Sequence, residues 1–265
     1  MQPVPWNSPL TYKFITCFLG WRILYETIKF LMPLLFPKTW NYIPNSKVKG
    51  KEKQAYFVAC CVSATHAIVV TIYGVYIAMN SNILTLKTFD DHSDEALNLG
   101  CLFAGYLVHD SVLVLTYAGV WADTLVMCLH HGSAIYCAIY LMYYDFGHAF
   151  IVITAIMEMS TPFANLRWIL DCLELKSNPV YIINGVIFTL LWFIVRICFF
   201  GWAGWKYVIY EMRPLLLEMD TTSFHTVQGG YIVGYGLQVY WFYLIFNGLM
   251  KAMSKIDGKG NKKKL

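Results

Sequence analysis

Long apolar runs alternate with short polar segments along most of the chain. About 20 apolar residues are needed for a helix to cross the hydrocarbon layer of a bilayer. The pattern predicts six such helices, at Tyr56–Met79, Leu97–Trp121, Leu125–Tyr143, Ala149–Leu170, Val180–Phe200 and Tyr231–Met250. The longest predicted loop, Gly201–Gly230, is aromatic-rich and does not indicate a separate soluble domain. The expected fold is an all-α, polytopic membrane helix bundle.

An earlier apolar run, Phe14–Phe36, is interrupted by Arg22, Glu26 and Lys29. Arg22 and Glu26 are spaced i,i+4 and can pair on one helix face, which favours a seventh span. The alternative is a helix that lies along the membrane interface. The chain is thus expected to divide into an N-terminal part (residues 1–54), a membrane domain (55–250) and a basic tail (251–265).

Composition agrees with a membrane protein. Hydrophobic residues make up 58% of the 265 positions, charged residues only 14%, and the mean hydropathy is +0.50. Soluble domains are usually about 25% charged. The net charge of +4 is concentrated in loops and the tail, so anionic lipid headgroups are more plausible partners than nucleic acid. The eight cysteines lie in or beside the spans without a CxxC motif, which argues against a disulfide framework.

The distribution of lysines predicts the orientation of the chain in the membrane. Six alternating crossings place the lysine-rich segments on one side, which the positive-inside rule makes cytosolic. These lysines are Lys47, Lys49, Lys51, Lys53, Lys176, Lys251, Lys255, Lys259, Lys262, Lys263 and Lys264. The opposite loops are acidic or mixed, and one contains Asp90, Asp91, Asp94 and Glu95. The carboxyl terminus is therefore expected to be cytosolic.

The tail ends in NKKKL, which places Lys262 and Lys263 in the pattern of a dilysine retrieval signal. Such signals are read by a receptor and must face the cytosol. We therefore expect the retrieval coat as a partner and the endoplasmic reticulum membrane as the location. The alternative is a basic tail that contacts anionic lipid.

Polar residues recur on one face of the Ala149–Leu170 segment. Thr154, Glu158, Thr161 and Asn165 are spaced i, i+4, i+7 and i+11, so they form one stripe on a helix. Pro162 adjoins the stripe and should loosen the backbone. A charged group in lipid is costly and usually faces the interior of the bundle. The stripe is therefore predicted to point inward.

Other predicted spans supply ionisable partners for this stripe. Counting along each span places His66, Asp110, His130 and Glu158 between the midplane and the cytosolic side, which permits one buried polar site. For this site, His130, His131, Glu158 and Asp110 are the candidates for chemistry, and His66, Thr161 and Asn165 are the candidates for lipid contact. The alternative is that these residues have structural roles. His66 and His109 would form hydrogen bonds with nearby groups, Asp110 would hold helices together, and the threonines would form hydrogen bonds between helices.

Metal binding receives little support from the sequence. Histidine and glutamate are good zinc ligands, but no HxxH, HExxH or CxxC spacing occurs. We therefore predict no metal site and no bound cofactor.

Four short stretches, GYLVHD, LHHGSAIY, MEMSTPFANLRW and NGVIFTLLWFIVRI, resemble those of the TLC-domain family over roughly Tyr56–Met250. That family includes ceramide synthases, which acylate a sphingoid amine with fatty acyl-CoA in the endoplasmic reticulum membrane, and members linked to membrane lipid composition. The resemblance implies a multi-span protein that binds membrane lipids and acts in lipid homeostasis.

The sequence also departs from the ceramide synthase pattern. His130 and His131 match its paired histidine, but the second motif, with His-Asp and a further Asp, corresponds here to Met157-Glu158 and Thr161. Two hypotheses remain. In an acyltransferase that uses acyl-CoA as co-substrate, His130 or His131 would be the base or acyl acceptor, oriented by Glu158 or Asp110. In a non-enzymatic protein, the same groups would hold a lipid headgroup. The missing histidine favours the second.

Overall fold

The computed structural model describes residues 5, 8–46, 52–89, 92–121 and 123–262, with the side chains of the last helix described as far as residue 251. No strand occurs in this part of the chain. Its seven long helices are α1 (Pro9–Leu35), α2 (Lys53–Asn80), α3 (Asp94–Thr116), α4 (Thr124–Tyr144), α5 (His148–Cys172), α6 (Pro179–Ile209) and α7 (Thr221–Lys262). Short helices at Pro37–Tyr42, Ile43–Asn45 and Arg213–Glu218 lie in the connections.

Within the described residues, five helices, α2 to α6, are long and apolar enough to cross a membrane. The prediction of an all-α, multi-span membrane protein is therefore confirmed. Helices α1 and α7 are long but do not belong to this set of five. The number of spans, six or seven, thus stays a prediction. Arg22 and Glu26 do pair on α1, with nitrogen and oxygen 2.5 Å apart.

The prediction of a loop at Gly201–Gly230 is wrong for most of that segment. Helix α6 continues to Ile209, and α7 begins at Thr221. Two segments of α6, Trp192–Phe199 and Trp205–Ile209, have the wider π-helical hydrogen bonding. Three of the aromatic residues assigned to a loop, Trp202, Trp205 and Tyr207, therefore lie in α6.

Six helices form a closed ring, and α1 lies outside it. Around the ring, α2 contacts α5, α5 contacts α6, α6 contacts α7, α7 contacts α4, α4 contacts α3, and α3 contacts α2. Helix α1 packs on α3 at Gly105, where an added Cβ would lie only 2.9 Å from the backbone nitrogen of Phe18. The Trp21 indole also donates a hydrogen bond to the carbonyl of Leu102, at 3.1 Å. Helix α3 also contacts His148–Met157 of α5 across the ring, and the remaining space at the centre is bordered by all six helices.

Helix α5 changes its winding at the polar stripe. Glu158–Ser160 is a turn of 3₁₀ helix, in which the Thr161 amide bonds to the Glu158 carbonyl. Pro162 follows, and a proline has no N–H to continue the α-helical ladder. The local change agrees with the loosening predicted at Pro162.

Candidate functional site

Seven of the polar residues singled out in the sequence converge on one cavity of about 360 Å³ at the centre of the ring. All six ring helices contribute to its wall. The wall includes His66, Asp110, His130, His131, Glu158, Thr161 and Asn165. The inward orientation predicted for the α5 stripe is therefore what the structure shows. Whether these residues bind or transform a ligand stays a prediction.

Glu158 is held by an arginine that the sequence reasoning did not single out. Arg196 of α6 places its Nη2 atom 3.0 Å from Oε1 of Glu158. The Thr161 hydroxyl joins the two groups, because it accepts from Arg196 at 2.8 Å and donates to Oε2 of Glu158 at 2.6 Å. The carboxylate is therefore compensated within the protein.

The other two nitrogens of Arg196 also donate hydrogen bonds. Its Nε donates to the Ser160 hydroxyl at 2.8 Å, and its Nη1 donates to the side chain of Gln238 on α7 at 3.2 Å. The guanidinium lies over the ring of Trp192, 4.5 Å from the centroid. Arg196 thus ties α5, α6 and α7 together at the cavity wall. It is the only charged residue between Val180 and Phe200, so the rule that marked Glu158 would have found it.

The paired histidines contact different neighbours. Nε2 of His131 lies 3.6 Å from a carboxylate oxygen of Asp110 on α3, within ion-pair distance but longer than a hydrogen bond. The ring of His130 meets the Trp241 ring of α7 edge to face, with centroids 5.0 Å apart. Adjacent positions on a helix diverge by about 100°. Both imidazoles nevertheless line the cavity, and among the described residues it is His131 that lies within ion-pair distance of a carboxylate.

The other two intramembrane histidines occupy different environments. His66 lines the cavity and stacks on Tyr106, with ring centroids 3.8 Å apart. His109 is buried outside the cavity wall and packs against Tyr25 of α1. None of the described residues hydrogen-bonds to the ring nitrogens of either histidine. For His66, this leaves a polar ring edge beside the cavity.

Two further cavities adjoin the central one and share its lining residues. The first, of about 120 Å³, shares Leu107, His130, Glu158 and Arg196 with it and is otherwise mainly apolar. Its wall includes Leu141 and Phe150, which lie where α4 ends and α5 begins. We call this cavity the apolar end. Thr154, the first member of the stripe, also lines it.

The second neighbouring cavity, of about 610 Å³, lies at the opposite end of the ring. It shares Ser63, Tyr106, Asp110, Met127, Asn165 and Trp241 with the central cavity. Lys53 at the start of α2 and Trp168 near the end of α5 mark the face to which it belongs. We call this cavity the mouth. The three spaces lie in series and together form the chamber.

A separate cluster lies in the loops at the other face of the ring. Asp145 lies 2.8 Å from Nδ1 of His92 and 3.3 Å from Nε2 of His148. The three groups are close enough to share a metal ion. However, the Ser93 amide donates to Nδ1 of His148 at 3.0 Å. A neutral imidazole that accepts at Nδ1 carries its proton on Nε2, and a protonated nitrogen cannot bind a metal ion.

The predicted retrieval signal cannot be placed. The side chain of Lys262 and the whole of Lys263 lie outside the described residues, as do Asp90 and Asp91 of the acidic loop.

Comparison with known proteins identifies relatives of similar length. Residues 56–247 match the TLC domain. TLC domain-containing protein 4 of Xenopus tropicalis is 29% identical, with 94% of this chain and 95% of the relative aligned. The human protein of the same name is 28% identical over 74% of each chain. Topoisomerase I damage affected protein 4 of Saccharomyces cerevisiae is 24% identical, over 87% of this chain and 81% of the relative. The resemblance found in the sequence motifs is confirmed.

Proposed function

Because the chain belongs to the TLC domain family, we propose that it binds one lipid inside the helix ring and acts in membrane lipid homeostasis. The observation that carries this proposal is the order of the three cavities. An apolar space, a polar centre and a polar mouth follow one another. An amphipathic lipid has the same order of apolar and polar parts, from its hydrocarbon chain to its headgroup.

The apolar end suits a hydrocarbon chain. Its wall includes Phe103, Ala138, Leu141, Ile151 and Val227. Ligand sites that hold apolar groups are typically lined in this way, with few polar groups to fix orientation. The charged groups of its wall, Glu158 and Arg196, both lie where it borders the central cavity, and the other polar groups, such as Thr154 and Thr226, are uncharged. A chain in this space would place its polar portion towards the histidines.

The residues of the central cavity are better suited to bind an uncharged polar part of a lipid than a charged group. Glu158 and Arg196 neutralise each other across 3.0 Å, which leaves no free cation or free anion at that point. The carboxylate of Asp110 lies 3.6 Å from Nε2 of His131. His66, His130 and Thr161 add groups that can exchange hydrogen bonds with an ester, amide or hydroxyl.

We propose that the protein resides in the endoplasmic reticulum membrane with the mouth facing the cytosol. The support comes from the lysines, since Lys53 lines the mouth and Lys176 follows α5 on the same face. The opposite face includes the start of α3, whose first turn carries Asp94 and Glu95. This assignment follows the positive-inside rule.

Photocrosslinking tests whether the chamber holds lipid. Cells that express the full chain would be given a fatty acid with a diazirine on its chain and an alkyne for capture, and the labelled peptides would be mapped. We expect label in the wall of the apolar end, on α4, α5 and the Val227–Gly234 part of α7. Label confined to outward residues such as Ile72 or Met79, which are 65% and 80% exposed, would contradict binding inside the ring.

A second candidate function is N-acyl transfer from acyl-CoA. The specific observation in its favour is the His131–Asp110 pair, 3.6 Å apart on the cavity wall. In this reaction a substrate amine would attack the thioester carbonyl, the C–N bond would form and the C–S bond would break. The imidazole would take the amine proton, and the thiol of CoA would leave. Asp110 would orient the imidazole and stabilise its protonated form.

A further inference from the structure

The mouth of the chamber is walled by aromatic rings at steep angles to one another. Tyr56 of α2 lies edge to face with Trp121, with centroids 4.9 Å apart and ring planes at 88°. Its ring also meets Trp168 of α5, with centroids 4.7 Å apart and planes at 60°. All three residues line the same cavity of about 610 Å³. Inclined aromatic walls of this kind can enclose a cation by presenting ring faces from more than one side.

The charged groups at the mouth also favour a cation. The carboxylates of Asp110 and Asp123 line it. Lys53 lines it too, but its ammonium group donates to the carbonyls of Ser46 and Pro44, at 2.6 Å and 3.3 Å. Two carboxylates therefore line the mouth together with one ammonium group whose bonds are largely used within the protein. Asp110 also lies 3.6 Å from Nε2 of His131, whereas Asp123 stands at the mouth. An anionic headgroup would meet little compensation here.

Two buried hydrogen-bond donors at the mouth have no acceptor among the described residues. They are Nε1 of Trp121 and Nδ2 of Asn165. A buried donor without a partner destabilises the protein, so a ligand that supplies an acceptor gains by binding here. Asn165 also lines the central cavity. The acceptor would therefore lie on the inner side of the mouth.

From these observations we infer that the mouth binds the phosphocholine-type headgroup of a zwitterionic lipid. The quaternary ammonium would lie against Tyr56, Trp121 and Trp168, near the carboxylates. The phosphate oxygens would accept hydrogen bonds from Trp121 and Asn165. The inference rests on the proposed binding of a lipid chain in the apolar end, and it assigns the headgroup of that lipid.

The test compares two lysolipids that differ only in headgroup. Purified full-length protein in detergent would be incubated with palmitoyl lysophosphatidylcholine or palmitoyl lysophosphatidylglycerol, and bound lipid measured by native mass spectrometry. We expect the choline lipid to bind about tenfold more tightly, which corresponds to about 1.4 kcal/mol. Tyr56→Leu and Trp168→Leu should each reduce that preference to about twofold. Tyr56→Phe retains the ring and should retain the preference.

Gly234→Leu separates the two proposals. Gly234 lines the apolar end and is not among the residues that line the mouth, so this change should weaken the binding of both lysolipids by a similar factor. Retained binding of the glycerol lipid in Tyr56→Leu would show that this variant is folded. Equal binding of the two lipids, or a preference that survives both leucine variants, would overturn the headgroup assignment while the chamber proposal stands. If neither lysolipid bound, both the headgroup assignment and the chamber proposal would be overturned.

Discussion

The Nη2 atom of Arg196 lies 3.0 Å from the Glu158 carboxylate, and this pair joins α6 to α5 at the wall of the chamber. The Arg196 side chain is buried, and that of Glu158 is only 16% exposed. Breaking a buried ion pair by removing one partner typically costs about 3–5 kcal/mol, because the other charge is left unpaired. The pair is therefore expected to be important for folding as well as for the chemistry of the site.

We predict that Glu158→Gln alone lowers stability more than the double variant Glu158→Gln with Arg196→Met. The single change leaves a guanidinium without its carboxylate, whereas the double change removes both charges. Thermal unfolding of the purified protein in detergent, followed by tryptophan fluorescence, measures the difference. If the double variant were destabilised by the sum of the two single effects, the pair would not act as a unit.

Spacing within one helix was enough to predict the α5 stripe, because Thr154, Glu158, Thr161 and Asn165 share one face. It could not predict which helices meet that stripe. Glu158 and Arg196 are 38 positions apart, and their pairing depends on α5 lying beside α6. The π-helical winding at Trp192–Phe199 also has no signal in the period of hydrophobic residues. The ring order, and hence the shape of the chamber, depends on contacts that a single sequence does not reveal.

The inward-facing position of Arg196, by contrast, could have been predicted from the sequence. The rule that an ionisable residue inside a span marks a site applies to Arg196 as directly as to Glu158. Conversely, His109 satisfied the same rule but lies outside the cavity wall, against Tyr25. The rule identifies inward-facing residues, and only the packing separates those at the cavity from those between helices.

The size of the apolar end should set the length of the lipid chain. A Cβ added at Gly234 would meet Phe200 at 3.5 Å, which is an ordinary contact, so Gly234→Ala should be tolerated. A leucine would extend into the space of about 120 Å³. We predict that Gly234→Leu shifts co-purified lipid towards shorter chains, while Gly234→Ala does not. Mass spectrometry of extracted lipid measures the distribution, and an identical distribution in all three proteins would contradict the assignment.

The start of α7 provides a prediction outside the membrane. Asp220 accepts hydrogen bonds from the Ser223 hydroxyl and from the amides of Ser223 and Thr222, at 2.6, 3.0 and 3.0 Å. These bonds, led by that of the hydroxyl, hold the pKa of Asp220 below its usual range. A lowered pKa means that this stabilisation is present above about pH 4 and is lost as the pH falls through the folded-state value.

Asp220→Ala should therefore destabilise the helix start by about 1 kcal/mol at pH 7. The difference between the two proteins should shrink as the pH is lowered below about 4. Thermal unfolding of wild type and Asp220→Ala over this pH range measures it. A stability difference that stays constant down to pH 2 would show that ionised Asp220 is not the capping species.

The orientation of the ring can be tested by engineered glycosylation. A flexible insert with an Asn-Gly-Thr acceptor after Leu86, between α2 and α3, should be glycosylated, because that loop is expected in the lumen. The same insert after Lys176, between α5 and α6, should not be. Endoglycosidase sensitivity on gels measures both. Modification of the second insert and not of the first would reverse the topology and place the mouth in the lumen.

The His131–Asp110 pair separates the two candidate functions. Its 3.6 Å separation is short enough for the carboxylate to stabilise a protonated imidazole, and apo contacts of this kind can tighten when a substrate binds. If the protein is an acyltransferase, purified wild type should transfer acyl groups from acyl-CoA to an amine. His131→Ala should then lower the rate by about 10²–10⁴-fold. Adding Asp110→Asn to His131→Ala should lower it little further, because residues that act as a unit are non-additive.

His109→Phe is the matched control, since His109 is a buried histidine of α3 outside the cavity wall. It should retain activity in the enzyme case. If the protein only binds lipid, wild type will transfer no acyl group, and His131→Ala will change the amount or kind of lipid that co-purifies while protein abundance stays normal. Loss of protein in His131→Ala together with normal abundance in His109→Phe would assign His131 to folding. Unchanged co-purifying lipid in an abundant His131→Ala protein, with no transfer by wild type, would remove His131 from both candidate functions.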